Sequence, residues 1–153
     1  MNLSEITSYI HDHIPLTSHL GAVVESFDGE MVSISAPLNP NLNHRNTAFG
    51  GSISALGILS GWTLLFLKLQ ESGIKNRLVI QKSSFDFQDP VDDDFKATCA
   101  LPDTETWEKF IKTLTRHGRA RITVQSRIES SSGTGGNHEG VYVAIVLKEN
   151  ESV

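Results

Sequence analysis

Ile53-Ser-Ala-Leu-Gly-Ile-Leu-Ser-Gly-Trp-Thr-Leu-Leu-Phe-Leu67 is apolar at most positions, and the apolar residues do not keep to one stripe. A helix that is hydrophobic nearly all round must be enclosed. A bilayer core needs about 20 apolar residues. This run is shorter, and Ser54, Gly57, Ser60 and Gly61 interrupt it. The expected helix, about 50–72, is therefore the buried centre of a protein core. It turns polar only at Lys68, Gln70 and Glu71, before Gly73 ends it.

Around this helix the chain reads as strands. Gly21–Phe27 and Met31–Leu38 form a pair joined at Asp28-Gly29. In the second, Val32, Ile34 and Ala36 alternate with Ser33 and Ser35, the period of a half-buried strand. Leu78–Phe87, Phe95–Leu101, Ala120–Ile128 and Val141–Lys148 complete the set, with Ser130–Asn137 read as a flexible, Gly- and Ser-rich hairpin loop. A short helix at 3–13, capped by Ser4 and ended by Pro15, and a second at Thr104–His117, stopped by Gly118, are the other elements. Most strands follow each other directly, so the expected fold class is α+β: an antiparallel sheet curled around one apolar helix, in a single domain spanning 1–153.

Composition narrows the function. The net charge of −5 and pI near 5.6 argue against nucleic acid as the main partner. The one cysteine, Cys99, forms no internal disulfide, and no Cys/His spacing marks a metal site, so neither metal nor cofactor is expected. The first residues lack the basic and apolar regions of a signal peptide, and a cytoplasmic protein without membrane insertion is the expectation.

Immediately before the helix stands Asn39-Pro-Asn-Leu-Asn-His-Arg-Asn-Thr-Ala-Phe-Gly-Gly-Ser52. A polar loop running through two glycines into a helix can aim unpaired N–H groups at a polarised oxygen. Two readings fit Gly50 and Gly51: donors to a substrate carbonyl, or a tight turn. Ser52 is either a donor to substrate or a cap, and His44 either a base or a histidine tied into the loop. Ser83, Ser84 and Asp86 lie on a strand in which Phe85 and Phe87 are expected to point inward. Lys109, Lys112, Arg116, Arg119 and Arg121 make the one basic cluster, suited to phosphates or an acidic partner and equally to a solvated helix face.

The order of elements from Gly21 to Lys148 resembles the hot-dog fold, in which a curved antiparallel sheet wraps a long central helix. Asn43-His-Arg-Asn-Thr-Ala-Phe-Gly-Gly-Ser52 resembles the loop and helix start of hot-dog thioesterases, and is most similar to the thioesterase domain at the C-terminal end of YiiD-type bacterial acyltransferases. The resemblance implies an acyl-CoA or acyl-carrier-protein thioesterase of fatty acid metabolism, with its site shared between subunits of a homodimer or dimer of dimers. It implies that Asn43 positions the thioester or the attacking water. Gly50 and Gly51 then bind the carbonyl, and Phe49 and the central helix line the acyl channel. Ser84 or its neighbours Ser83 and Asp86, on the strand that approaches the partner's helix start in such dimers, complete the substrate site across the interface.

Two departures stand out. Phe49 occupies the place where many relatives have His, and the helix carries no carboxylate at Leu56-Gly57-Ile58-Leu59, where many place an Asp or Glu. His44, or an acid from a second subunit, is the base that remains. A non-catalytic acyl-CoA-binding module and a hydratase or dehydratase are the alternatives.

Overall fold

In the computed structural model, which describes residues 1–152, helix α3 (Gly50–Glu71) runs through the centre of the molecule. Its buried residues, among them Leu56, Leu59, Thr63, Leu64, Leu65 and Leu67, lie around the whole circumference. α3 is long and apolar enough to cross a membrane, but most of it is buried against the protein's own sheet, which makes it a core helix. Each enclosed leucine contributes roughly 1.5–3 kcal/mol through burial.

The sheet has six antiparallel strands: β1 (Val23–Phe27), β2 (Met31–Ala36), β3 (Asn76–Phe87), β4 (Phe95–Ala100), β5 (Arg119–Ser130) and β6 (Gly133–Val146), in the spatial order β1-β2-β4-β5-β6-β3. This sheet, curved around one long helix, is the hot-dog arrangement. Helix α1 (Leu3–His13) buries Ile6 and Ile10, and α4 (Thr104–His117) buries Phe110 and Leu114 in the same core. Asp103 caps α4, and Gly118, at φ +73°, ends it.

The structure departs from several local expectations. Asn2, not Ser4, caps α1: its side chain accepts from the Glu5 N–H at 2.9 Å, while Glu5 accepts from the Asn2 N–H at 2.8 Å. Pro15 ends α1 but also opens a second short helix, α2 (Leu16–Leu20), since proline's fixed φ suits a helix start. The stretch Ser130–Asn137 is not a flexible loop. The hairpin turns tightly after Ser130, and β6 begins at Gly133. Gly135 and Gly136 are buried there, where a side chain would collide with Val91 and with the Asp86 backbone.

Two further glycines let the sheet approach α3. A Cβ on Gly57 would stand 2.8 Å from the His138 Cβ, and one on Gly61 would strike the Tyr142 phenol. Tyr142 is fully buried and donates its hydroxyl to the Ile58 carbonyl at 2.7 Å. Gly57→Ala is expected to destabilise the fold by about 1–2 kcal/mol, because overpacking outweighs the roughly 1 kcal/mol that alanine gains in a helix. Urea unfolding of the variant measures the difference; a stabilised variant would contradict the tight contact.

Candidate active site

The loop that delivers the start of α3 is fastened from several sides. Buried Asn41 donates its side-chain N–H groups to the carbonyls of Leu20 and Pro37, at 2.9 and 2.7 Å. The Phe49 N–H donates to the Asn41 carbonyl, and that of Ala48 to the Val91 carbonyl, both at 2.7 Å. Asn43 closes the loop on itself. Its Oδ1 accepts from the N–H groups of Arg45 and Thr47 at 2.8 and 3.2 Å, and its Nδ2 donates to the Thr47 hydroxyl at 2.8 Å. Its amide is therefore committed within the loop. His44 is exposed nearby.

At the helix start, Phe49 is the extended flanking residue, with φ −62° and ψ 131°, and no side chain caps the helix. The N–H groups of Ser52 and Ile53 turn back to the Phe49 carbonyl, at 2.9 and 3.1 Å. Those of Gly50 and Gly51, at the first two helical positions, have no carbonyl of their own helix to bond. The helix dipole adds partial positive charge at this point. Ser52 stands third in the helix and is not its cap. The Phe49 ring lies against Gly51 and the Phe87 ring against Gly50, and both phenylalanines are exposed. The helix thus presents two backbone donors between two open aromatic rings.

Farther along α3 lies an apolar pocket of about 270 Å³, bordered by Leu16, Ala55, Ile58, Trp62, Ile80 and Tyr142. Ile58 points into it, and Leu56, Gly57 and Leu59 are buried. The helix positions without a carboxylate are therefore packed with apolar surface.

β3 is an edge strand, and most of its residues are exposed. A bulge between Ile80 and Lys82 resets which side chains face α3. Ile80 opposes Tyr142, and past the bulge Ser83 opposes Gly140, Phe85 opposes His138 and Phe87 opposes Gly136. Ser84 opposes Glu139 on the other face, away from α3. The serine on the helix side is Ser83.

His138, at the edge of the Gly- and Ser-rich stretch, carries no sequence signal of its own. Its residue is 1% exposed, its Nε2 lies 2.8 Å from the Ser83 hydroxyl, and its buried Nδ1 has no hydrogen-bond partner among the described residues. Burial holds this imidazole below the ordinary histidine range, and the nearby Glu139 carboxylate offsets part of that effect. Next to it, the hydroxyls of Ser60 and Ser126 lie 2.7 Å apart, and both are within reach of the Gly57 carbonyl. Cys99 is buried with its thiol pushed up to about 11, which keeps it protonated and inert at neutral pH. Lys109 and Gln81 border a cleft of about 820 Å³ together with Arg119, Arg121 and Val143, and the register puts these last three on the sheet face away from α3.

Solved structures share this architecture. The chain is 29% identical to a protein of unknown function from Chlorobaculum tepidum TLS, with a TM-score of 0.88 over 94% of each chain. It is 25% identical to a "putative thioesterase" from Shewanella oneidensis, with a TM-score of 0.84 over 94% of this chain and 96% of that one. A Pseudomonas aeruginosa protein described as a "Probable Thioesterase" has the same fold at 18% identity, with a TM-score of 0.83 over 96% and 97% of the two chains. The family model described as "Putative thioesterase (yiiD_Cterm)" matches residues 3–146, nearly the whole of the chain, and the chain belongs to that family.

Proposed function

We propose that this protein hydrolyses acyl thioesters of coenzyme A or an acyl carrier protein, at a site assembled between two copies of the chain. The observation that carries the reading is the uncapped start of α3, where the Gly50 and Gly51 N–H groups stand ready between the rings of Phe49 and Phe87. A thioester carbonyl placed there accepts hydrogen bonds that strengthen as its oxygen gains negative charge, which lowers the barrier to attack on the carbonyl carbon. The apolar pocket bounded by Ile58, Ile80 and Tyr142 takes the acyl chain. Asn43 holds the loop in shape, and Ser52 and exposed His44 border the approach of the thiol half of the substrate. Ser84, on the far face, stands outside this arrangement.

The long exposed edge of β3 is the surface on which a second copy would pair, extending the sheet and bringing the two sites to the joint. A second reading has its own support. The absence of a carboxylate at Leu56–Leu59 favours an acyl-binding module that holds a thioester without cleaving it. Thiol release from short-, medium- and long-chain acyl-CoAs, measured alongside sedimentation, separates the two. A dimer or larger assembly with turnover on part of the panel is expected. Saturable binding without thiol release would establish the binding module, and a strictly monomeric active enzyme would exclude a shared site.

A further inference from the structure

We propose that Ser83 and His138 are the nucleophile and base of this site, an inference that rests on the thioesterase reading for its substrate but not for its chemistry. The two side chains meet at 2.8 Å across neighbouring strands. Ser83 is exposed on the helix side of β3, whereas His138 is fully buried and clamped between Gly57 of α3 and the strand. Ser83 stands opposite Gly140, and the helix-side residues beyond them on the two strands, Ile80 and Tyr142, are walls of the apolar pocket. An acyl chain lying in that pocket ends beside the Ser83 hydroxyl.

The Ser83 oxygen attacks the thioester carbonyl carbon while its proton passes to His138 Nε2. The carbon–sulfur bond breaks, the thiolate leaves with the proton from Nε2, and the acyl group remains as an ester on Ser83. Water then attacks the ester and gives a proton to Nε2, which returns it to Ser83 as the carboxylic acid departs. Thioester and water become thiol and acid, with no other reactant.

The surroundings set the strength of this base. Gly57 and Ser60 of α3, Phe85 of β3 and Ser126 of β5 are the uncharged residues packed toward the ring. Lys82, Asp86, Arg127 and Glu139 stand at register positions facing the other side of the sheet, where Glu139 accepts from the Gln125 amide at 3.0 Å. Burial keeps the imidazole neutral and ready to accept a proton. Its Nδ1, which then carries the hydrogen, has no carboxylate among the described residues to hold it, so the pair is a dyad with a correspondingly slow turnover.

Ser83 and Phe87 are four residues apart on one strand, a span of about 13 Å. Ser83 therefore serves the α3 start of the second copy rather than its own, brought there by antiparallel pairing of the two β3 edges.

A serine-directed fluorophosphonate probes the pair without any assumption about substrate. Expected is a single adduct on Ser83, absent from Ser83→Ala and formed at least tenfold more slowly in His138→Gln. Its rate should decline with acid at a lower pH than an ordinary histidine would impose, as the buried imidazole protonates. Ser83→Ala replaces an exposed side chain and is expected to fold normally while losing roughly 100-fold or more in thiol release. Mixed dimers of Ser83→Ala with Gly50→Pro should recover about a quarter of the wild-type rate, since half of them carry one intact site.

Thiol release at full rate by Ser83→Ala, or from a protein that fails to label, overturns the pair and leaves the thioesterase standing. Labelling of Ser83 without thiol release from any acyl-CoA or acyl carrier protein does the reverse. Absence of both overturns both.

Discussion

Gly50→Pro should lower kcat about 100- to 1,000-fold, the loss typical when one oxyanion donor is removed, while leaving the fold intact. The first helical position suits proline, because its ring fixes the φ the helix already needs and its missing N–H serves no intrahelical bond. The residue before a proline must be extended, and Phe49 already is, at φ −62° and ψ 131°. Space is adequate too: a Cβ at this position would rest 3.4 Å from the Phe87 ring, ordinary contact. The substitution therefore removes one hydrogen-bond donor and little else. Comparing kcat, KM and Tm of the variant with the parent isolates its role, since a donor acting on the transition state affects kcat more than KM. An unchanged rate in a folded variant would show that the thioester carbonyl does not sit at the start of α3.

Leu64→Ala is expected to have the largest effect on stability, about 2–5 kcal/mol, seen as a fall in Tm of roughly 5–15 °C. Leu64 is fully buried near the middle of α3, and α3 is in contact with β2, β3, β4, β5 and β6. A helix packed on one side can tilt to fill a void. One enclosed by strands that are hydrogen-bonded to each other cannot, so the cavity remains and its full cost is felt. Calorimetry on the purified variant checks this. A loss under 1 kcal/mol would mean that the sheet is loose enough to close around the helix.

The central helix was legible because its apolar residues ignore amphipathic spacing, and its enclosure by antiparallel strands followed from strands that succeed one another without crossover helices. Elsewhere the same residue types carried two meanings. Glycines at 133, 135 and 136 resembled a loop, although the buried pair at 135 and 136 serves close packing of β6 against Val91 and β3. A loop there would put His138 at its edge, where nothing points to a buried imidazole. Its contact with Ser83 links residues 55 positions apart in sequence, which no local pattern reveals. The choice between Ser83 and Ser84 turned on the bulge after Ile80. Counting alternate residues from Leu78 and Ile80 turns Ser84 inward, whereas counting back from Phe87 turns Ser83 inward, and only the backbone shows where the parity changes. In the loop before α3, the asparagines and glycines were evident, but the commitment of the Asn43 amide to Thr47 was not.

The contact between Gly57 and His138 also restricts how this sequence can change through descent. Any residue at 57 larger than glycine needs volume that the imidazole occupies, and any smaller residue at 138 leaves the Ser83 hydroxyl without its partner. Neither position can be exchanged first without loss, so the two behave as one coupled unit rather than as independent sites. A descendant that acquired a carboxylate at this turn of the helix would have to cross a valley of poorer intermediates. While residue 138 remains a histidine, residue 57 is confined to glycine by shape alone, whatever the demands of catalysis.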